Sequence, residues 1–262
     1  METTTSADGT RIAYQRAGSG PAIVFVPGVF NDHTRCALLA GELEPDHTVI
    51  TYDRRGRGQS TDTAPYAIER EVDDLAALIA VAGGQATVFG YSSGAILALK
   101  AAADGTPISH LALFEPPFAF DGGRAADLPA RLADLVAQGR PGDAVALFQT
   151  EQIGLPAEMV AQIRESPMWP ALEGMAQSML YDATITNELA VPTPAMTAVA
   201  APTLILSGAE TWPALAAAAD GLAAAMPDAT RMTVEGGRDH DIPPAETAAI
   251  LRRFLAAQKA EG

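Results

Sequence analysis

The chain has 262 residues, 48% of them hydrophobic and 19% charged, with a formal net charge of −15. That hydrophobic share supports a packed interior and excludes a disordered chain, while the excess of negative charge repels nucleic-acid phosphates and anionic lipid, so neither is an expected partner. The single cysteine, Cys36, excludes an intramolecular disulfide and agrees with a reducing compartment.

Residues 1–6 lack the basic and apolar stretches of a secretory leader, and no apolar run reaches the roughly 18–20 residues of a membrane helix. A soluble cytoplasmic protein is expected. Lys100 and Lys259 are the only lysines, which together with the alanine-rich helical stretches suggests a GC-rich bacterial genome.

In chain order, Asp8-Gly9 separates two short segments, and Arg11-Ile12-Ala13-Tyr14 alternates as a strand does. Ala22-Ile23-Val24-Phe25-Val26 is a continuous apolar run ending in Pro27-Gly28, the pattern of a strand buried on both faces. Thr48-Val49-Ile50-Thr51-Tyr52 repeats it and runs into the polar loop Asp53-Arg54-Arg55-Gly56-Arg57-Gly58. Ile68, Val72, Leu75, Leu78 and Ile79 recur at helical spacing over 68–82, and Gly83-Gly84 stops that helix. Then come a strand (Ala86-Thr87-Val88-Phe89), a turn (Gly90-Tyr91-Ser92-Ser93-Gly94) and a helix over 95–103. Further strands are predicted at 108–114, 203–206 and 230–234, with helices near 212–225 and 245–258.

Such alternation implies βαβ units and an α/β fold: a mostly parallel sheet of eight strands with helices on both faces. Residues 116–200 break the rhythm. Pro129, Pro141, Pro156, Pro167, Pro170, Pro192 and Pro194 punctuate them, and helices are predicted at 125–138, 143–151, 157–165 and 171–180. Because the chain returns directly to strand pattern, this stretch reads as a helical cap. It is inserted between strands six and seven of a core made of residues 1–115 and 201–262. A separate α domain is the other reading.

Gly90-Tyr91-Ser92-Ser93-Gly94 matches G-x-S-x-G between a β-rich run and an apolar helix. A turn that sharp crowds the positions two before and two after the serine, where glycines stand. The helix N-terminus behind it favours developing negative charge. A plain glycine-bearing βα turn is the alternative. Serine needs a base at neutral pH, and four histidines are available. His47 and His110 sit at strand starts and are expected at the far edge of the sheet. His33 and His240 follow strands, on the edge where Ser92 opens.

These motifs together resemble the α/β-hydrolase family over nearly the whole chain. Residues 88–98 are similar to its nucleophile elbow, Pro27-Gly28-Val29 stands where many members carry His-Gly, and residues 52–60 resemble its D-x-R-G-x-G-x-S loop. The resemblance implies Ser92 as nucleophile and His240, in Gly236-Gly237-Arg238-Asp239-His240, as its base, leaving His33 a helix-entry or pocket-wall residue. It also implies an oxyanion hole from the N–H groups of Ser93 and Val29. Pro27 departs from the pattern by removing a side chain that commonly braces this loop. The family's usual acid position, after strand seven, is occupied by Thr211, with Glu210 beside it. A minority of members place the acid after strand six, which maps onto Glu115 before Pro116. Glu115 is therefore the expected third catalytic residue, with Glu210 as the alternative. Asp53 is assigned to anchoring Arg54 or a turn, and Asp239 and Asp241 lie too near His240 in sequence to orient its ring.

Phe30, Tyr91, Met168 and Trp169 are the expected pocket residues. The other methionines and tyrosine of the cap, Met159, Met175, Met179, Tyr181 and Met196, are expected chiefly in a core, with an apolar pocket wall beneath the cap as the alternative for some of them. The expected function is hydrolysis of a small-molecule ester, lactone or thioester with an apolar group, through an acyl-enzyme. The alternatives are C–C bond hydrolysis or cofactor-free, haloperoxidase-like perhydrolysis on the same residues, and a non-catalytic binding protein. No metal or cofactor is expected, since Gly56-x-Gly58 lacks the strand–turn–helix setting of a dinucleotide loop. A monomer or homodimer is expected.

Overall fold

The computed structural model describes residues 1–120, 122 and 125–261, the last three of them by backbone alone. Its strands are β1 (Glu2–Thr5), β2 (Arg11–Gly18), β3 (Ala22–Val26), β4 (Thr48–Tyr52), β5 (Ala86–Tyr91), β6 (Ile108–Phe114), β7 (Thr203–Glu210) and β8 (Thr230–Arg238). They form one sheet in the order β1-β2-β4-β3-β5-β6-β7-β8. β2 runs antiparallel to both its neighbours, and every other pairing is parallel. β4 and β5 are buried along their whole length, which is why they read as unbroken apolar runs.

Helices α1 (Ala37–Leu43) and α11 (Pro244–Glu261) cover one face, packing on Ile23, Phe25, Phe89, Phe114 and Leu206. On the other face α2 (Ile68–Val81), α3 (Ser93–Ala103) and α10 (Pro213–Ala225) pack on Val24, Ile50, Val88, Leu113 and Ile205. Adjacent residues of one strand serve opposite layers, as the two-residue period of a strand requires. The chain leaves β3 toward β4 on one side and leaves β5 toward β6 on the other. The loops leaving the carboxyl ends of β3 and β5 therefore diverge and open a crevice between them, the usual ligand position in an open parallel sheet.

Between β6 and β7 lie α4 (Leu128–Ala137), α5 (Pro141–Leu147), a π-helical turn (Phe148–Ile153), α6 (Ala157–Arg164), α7 (Trp169–Gly174), α8 (Ala176–Glu188) and α9 (Pro194–Thr197). This insertion has a core of its own, with Leu128, Leu132, Val145, Phe148, Trp169, Leu172 and Met179. The helix predicted over 171–180 is two helices, and the second runs on to Glu188. α8 is buried on several sides, including Met179, Tyr181, Asp182, Ile185 and Thr186, so it shows no single apolar stripe. Among the described residues, no helix is long and apolar enough to cross a membrane.

Candidate active site

The turn from β5 into α3 holds Ser92 at φ +56°, ψ −126°, a conformation L residues avoid. Tight packing explains the glycines around it. A Cβ on Gly90 would lie 2.5 Å from the Ala95 Cα, one on Gly94 would strike the Val26 carbonyl, and one on Gly28 would lie 2.8 Å from the Ser92 Cβ. The Gly28 contact brings the loop after β3 directly against Ser92. α3 begins at Ser93, so the Ser93 N–H belongs to the first turn, where backbone donors lack intrahelical acceptors.

Glu115 directly follows β6, at φ +49°, and is fully buried. Its Oε1 accepts a hydrogen bond from the Gly208 N–H at 2.7 Å, and its Oε2 makes a short contact with His240 Nδ1. The His240 ring stacks on Tyr91 with centroids 4.7 Å apart. The His240 carbonyl accepts from the Tyr91 hydroxyl at 2.6 Å and from Arg35 at 3.2 Å. Burial raises the Tyr91 phenol above its ordinary pKa against the opposing pull of Arg35, so it stays a donor. Glu210, the other candidate acid, is exposed at the irregular end of β7, where its nearest cation is Arg238 at 3.8 Å. Strand β7 thus contributes the Gly208 N–H to the carboxylate that directly follows β6.

His33 is drawn elsewhere: its Nδ1 lies 2.7 Å from Asp53 Oδ1, and its N–H donates to the same oxygen at 3.0 Å. Asp53 also accepts from the Gln59 N–H at 2.9 Å, so it anchors its own loop and His33. Asp32, His33 and Asp53 form the one group of metal-type ligands among the described residues, with ligand atoms within 4.8 Å of one another. The His33–Asp53 pair already satisfies itself there.

Among the described residues, the non-glycine positions with positive φ are Phe30, Ser92, Glu115, Asp239 and His240. All five flank one edge of the sheet. Such residues cost on the order of 1–3 kcal/mol each and gather at functional sites.

Ser92, Ser93, Val29 and His240 open into one cavity of about 450 Å³, within the roughly 300–1,000 Å³ of small-molecule pockets. Phe118, Phe120, Phe148, Ile153, Trp212 and Leu215 give it a mostly apolar wall. None of the four expected pocket residues lines it. Met168 is 56% exposed on the outer surface of the insertion. Trp169 is buried in the core of the insertion, with the Arg164 guanidinium over its ring. Phe30 lies behind the wall, edge-on to Phe148. Tyr91 points to the opposite face of the sheet, under the His240 loop. The expectation failed because side-chain direction at a turn or in a buried bundle is set by packing and not by nearness in sequence.

A model of the alpha/beta hydrolase family matches residues 23–253. The chain belongs to the alpha/beta hydrolase family. A solved alpha/beta hydrolase from Sphaerobacter thermophilus is 46% identical, with a TM-score of 0.89 over 97% of this chain and all of that one. A thermophilic esterase from Thermogutta terrifontis is 23% identical with a TM-score of 0.72, covers 98% of each chain, and shares the fold. The N-formylmaleamate deformylase of Pseudomonas putida is 33% identical over 58% of this chain and 62% of its own. The chain spans between 37% and 62% of the curated relatives it matches.

As an alpha/beta hydrolase, this protein carries a buried ionic cluster that its sequence pattern did not announce. Arg54 clamps Glu71 with two bonds of 2.7 Å and reaches Asp182 of α8 at 2.6 Å. Arg57 makes a short contact with the other Asp182 oxygen, and the Ser93 hydroxyl donates to Asp182 at 2.6 Å. Burial by itself would raise the Asp182 pKa; Arg54, Arg57 and the Ser93 hydroxyl outweigh it and hold the carboxyl below the usual range. An aspartate in a helix with polar neighbours reads as surface, so sequence gave Asp182 no signal. Trp212, 5.7 Å from the His240 ring, was equally silent despite lying next to Thr211.

Proposed function

We propose that this protein is a serine hydrolase that cleaves a neutral ester, lactone or thioester with an apolar group. One observation carries the reading. A strained Ser92 and a carboxylate-held His240 border the same mostly apolar cavity. The Ser92 hydroxyl attacks the carbonyl carbon while His240 Nε2 takes its proton. Glu115, accepting from Nδ1, fixes the tautomer and stabilises the imidazolium. The carbonyl oxygen becomes an oxyanion in reach of the Ser93 and Val29 N–H groups. The acyl C–O or C–S bond then breaks as His240 protonates the leaving group. Water, deprotonated by His240, releases the acid and restores Ser92.

The cavity wall supports the neutral character of the substrate. Among the described residues that line it, Glu151 and Asp182 are acidic and none is lysine or arginine. A substrate carboxylate would be desolvated there without a cationic partner. The reading is tested by exposing the protein to a fluorophosphonate and mapping the adduct by mass spectrometry, then by comparing neutral p-nitrophenyl esters with a hemisuccinate ester. Label on Ser92 and preference for neutral esters are expected. A folded protein that labels nowhere, or only on Ser93, sinks the assignment of Ser92; preference for the hemisuccinate sinks the substrate class.

A further inference from the structure

Resting on that reading, we propose that Asp182, on inserted helix α8, is a positioning residue that holds both halves of the oxyanion site through Arg57 and Ser93. The Gly28–Val29 peptide is a planar trans unit, so its C=O and N–H point in opposite directions. Arg57 Nη1 donates to the Gly28 carbonyl at 2.6 Å and to the Asn31 carbonyl at 3.0 Å, and Arg54 donates to the Pro27 carbonyl at 3.3 Å. A peptide gripped by its oxygen on that side presents the Val29 N–H on the other. Released, the same unit is free to turn over and put a carbonyl oxygen where an oxyanion must sit. Pro27 brings no side-chain donor to this loop; the two arginines grip the Pro27, Gly28 and Asn31 carbonyls, and the Asn31 amide donates to the Val29 carbonyl at 2.5 Å.

Asp182 completes the device from the insertion. One of its oxygens meets Arg57, and the other accepts from Arg54 and from the Ser93 hydroxyl. A single carboxylate thus touches the arginine that aims one donor and the residue that owns the other. It is tied to the cavity wall as well. Thr186 donates to the Asp182 carbonyl at 2.7 Å and accepts from Gln152 at 2.7 Å, and both side chains belong to residues lining the cavity. The cluster is not an optimised stabiliser. The Arg57 side chain is 1% exposed, yet its Nε has no partner among the described residues. A buried cation with an orphan donor is poorly suited to stability alone. The D-x-R-G-x-G-x-S pattern leaves positions 54 and 57 open, so it does not itself require arginine there.

The test uses the full chain, with active sites counted by fluorophosphonate titration so that kcat is expressed per working Ser92. Wild type, Asp182→Asn and Ser93→Ala are compared on a neutral p-nitrophenyl ester and with an alkyl trifluoromethyl ketone. Ser92 adds reversibly to that ketone, its proton passes to His240, and the carbonyl becomes the oxyanion. Outright loss of an oxyanion donor costs about 10²–10³ in kcat, so misalignment through Asp182→Asn is expected to cost roughly 10- to 100-fold. Affinity for the ketone should weaken by a similar factor while KM moves less than about threefold. Ser93→Ala should follow in the same direction by a few-fold. A role confined to folding would lower the number of titrated sites and leave kcat per site and ketone affinity unchanged; that result overturns the proposal. If Asp182→Asn does not fold, Arg57→Lys decides, because lysine keeps the charge but cannot bridge Asp182 and two carbonyls with one planar fork. Unchanged kcat per site and ketone affinity in Arg57→Lys overturns the proposal; parallel losses support it. A wild type that neither labels nor hydrolyses esters refutes the serine-hydrolase reading and the proposal with it, a result distinct from active but indifferent variants.

Discussion

Glu115, directly after β6, and Asp182, on the inserted helix α8, are both fully buried carboxylates near the cavity, and they are partnered in opposite ways. Glu115 faces a backbone N–H and a histidine, so its partner gains positive charge only when protonated. Asp182 faces two guanidiniums that are charged at every working pH. The contrast teaches what each environment is good for. On the function proposed above, the carboxylate that answers a travelling proton is matched with a titratable group, whereas the one that holds a shape is paired with permanent cations.

The largest effect should fall on the proton-handling side. Glu115→Gln is expected to lower kcat by about 10⁴, the order found when a triad carboxylate becomes an amide, with the circular dichroism spectrum unchanged. Glu210→Gln should cost at most roughly tenfold, about 1.4 kcal/mol of barrier. Steady-state kinetics on one ester would expose a reversed ranking, which would move the acid to β7.

The next largest effect concerns stability on the other side of the comparison. Asp182→Ala leaves two buried guanidiniums short of an anion and is expected to destabilise the fold by about 3–5 kcal/mol in urea titrations. Glu115→Ala should be milder, since a neutral histidine needs no counter-charge. Equal losses would erase the distinction between the two acids.

The pH dependence sharpens it further. The Asp182 carboxyl is held below the ordinary carboxylate range. The stability it adds is therefore fully present above its unfolded pKa of about 4 and is lost as pH falls through its lowered folded pKa. The stability gap between wild type and Asp182→Asn should be widest near neutrality and close as pH falls through that acid range. Denaturant midpoints measured at stepped pH would show it; a gap that does not change with pH would mean Asp182 is not carrying charge in the fold.

The smaller effects belong to the residues around these acids. Tyr91→Phe removes one hydrogen bond to the His240 carbonyl, worth about 1 kcal/mol, and kcat should drop only several-fold with KM unchanged. Trp212→Ala should shift acyl-chain preference, because Trp212 lines the cavity, while the exposed Met168→Ala should leave kcat/KM within about twofold. An ester panel of graded chain length distinguishes the two, and a strong response of Met168→Ala would return that residue to the pocket.

Sequence alone carried the α/β class and the mostly parallel eight-stranded sheet, and of the residues it named as a site, Glu115 and His240 meet in the fold while Ser92 shares a cavity with His240. The reason is that these depend on local rules. Apolar runs buried on both faces read directly as parallel strands, the elbow needs small residues at fixed offsets, and a residue just after such a strand must lie at its carboxyl end. What only the tertiary structure decided is where side chains point and which distant charges meet. Tyr91 turned beneath the histidine loop, Trp169 went into the core of the insertion, and Met168 went to solvent, because each direction is set by neighbours remote in sequence. Asp182 is 125 residues from Arg57 and 89 from Ser93. It has no local signature, since an aspartate on a helix joins a buried ionic cluster only when packing against another element removes the water around it.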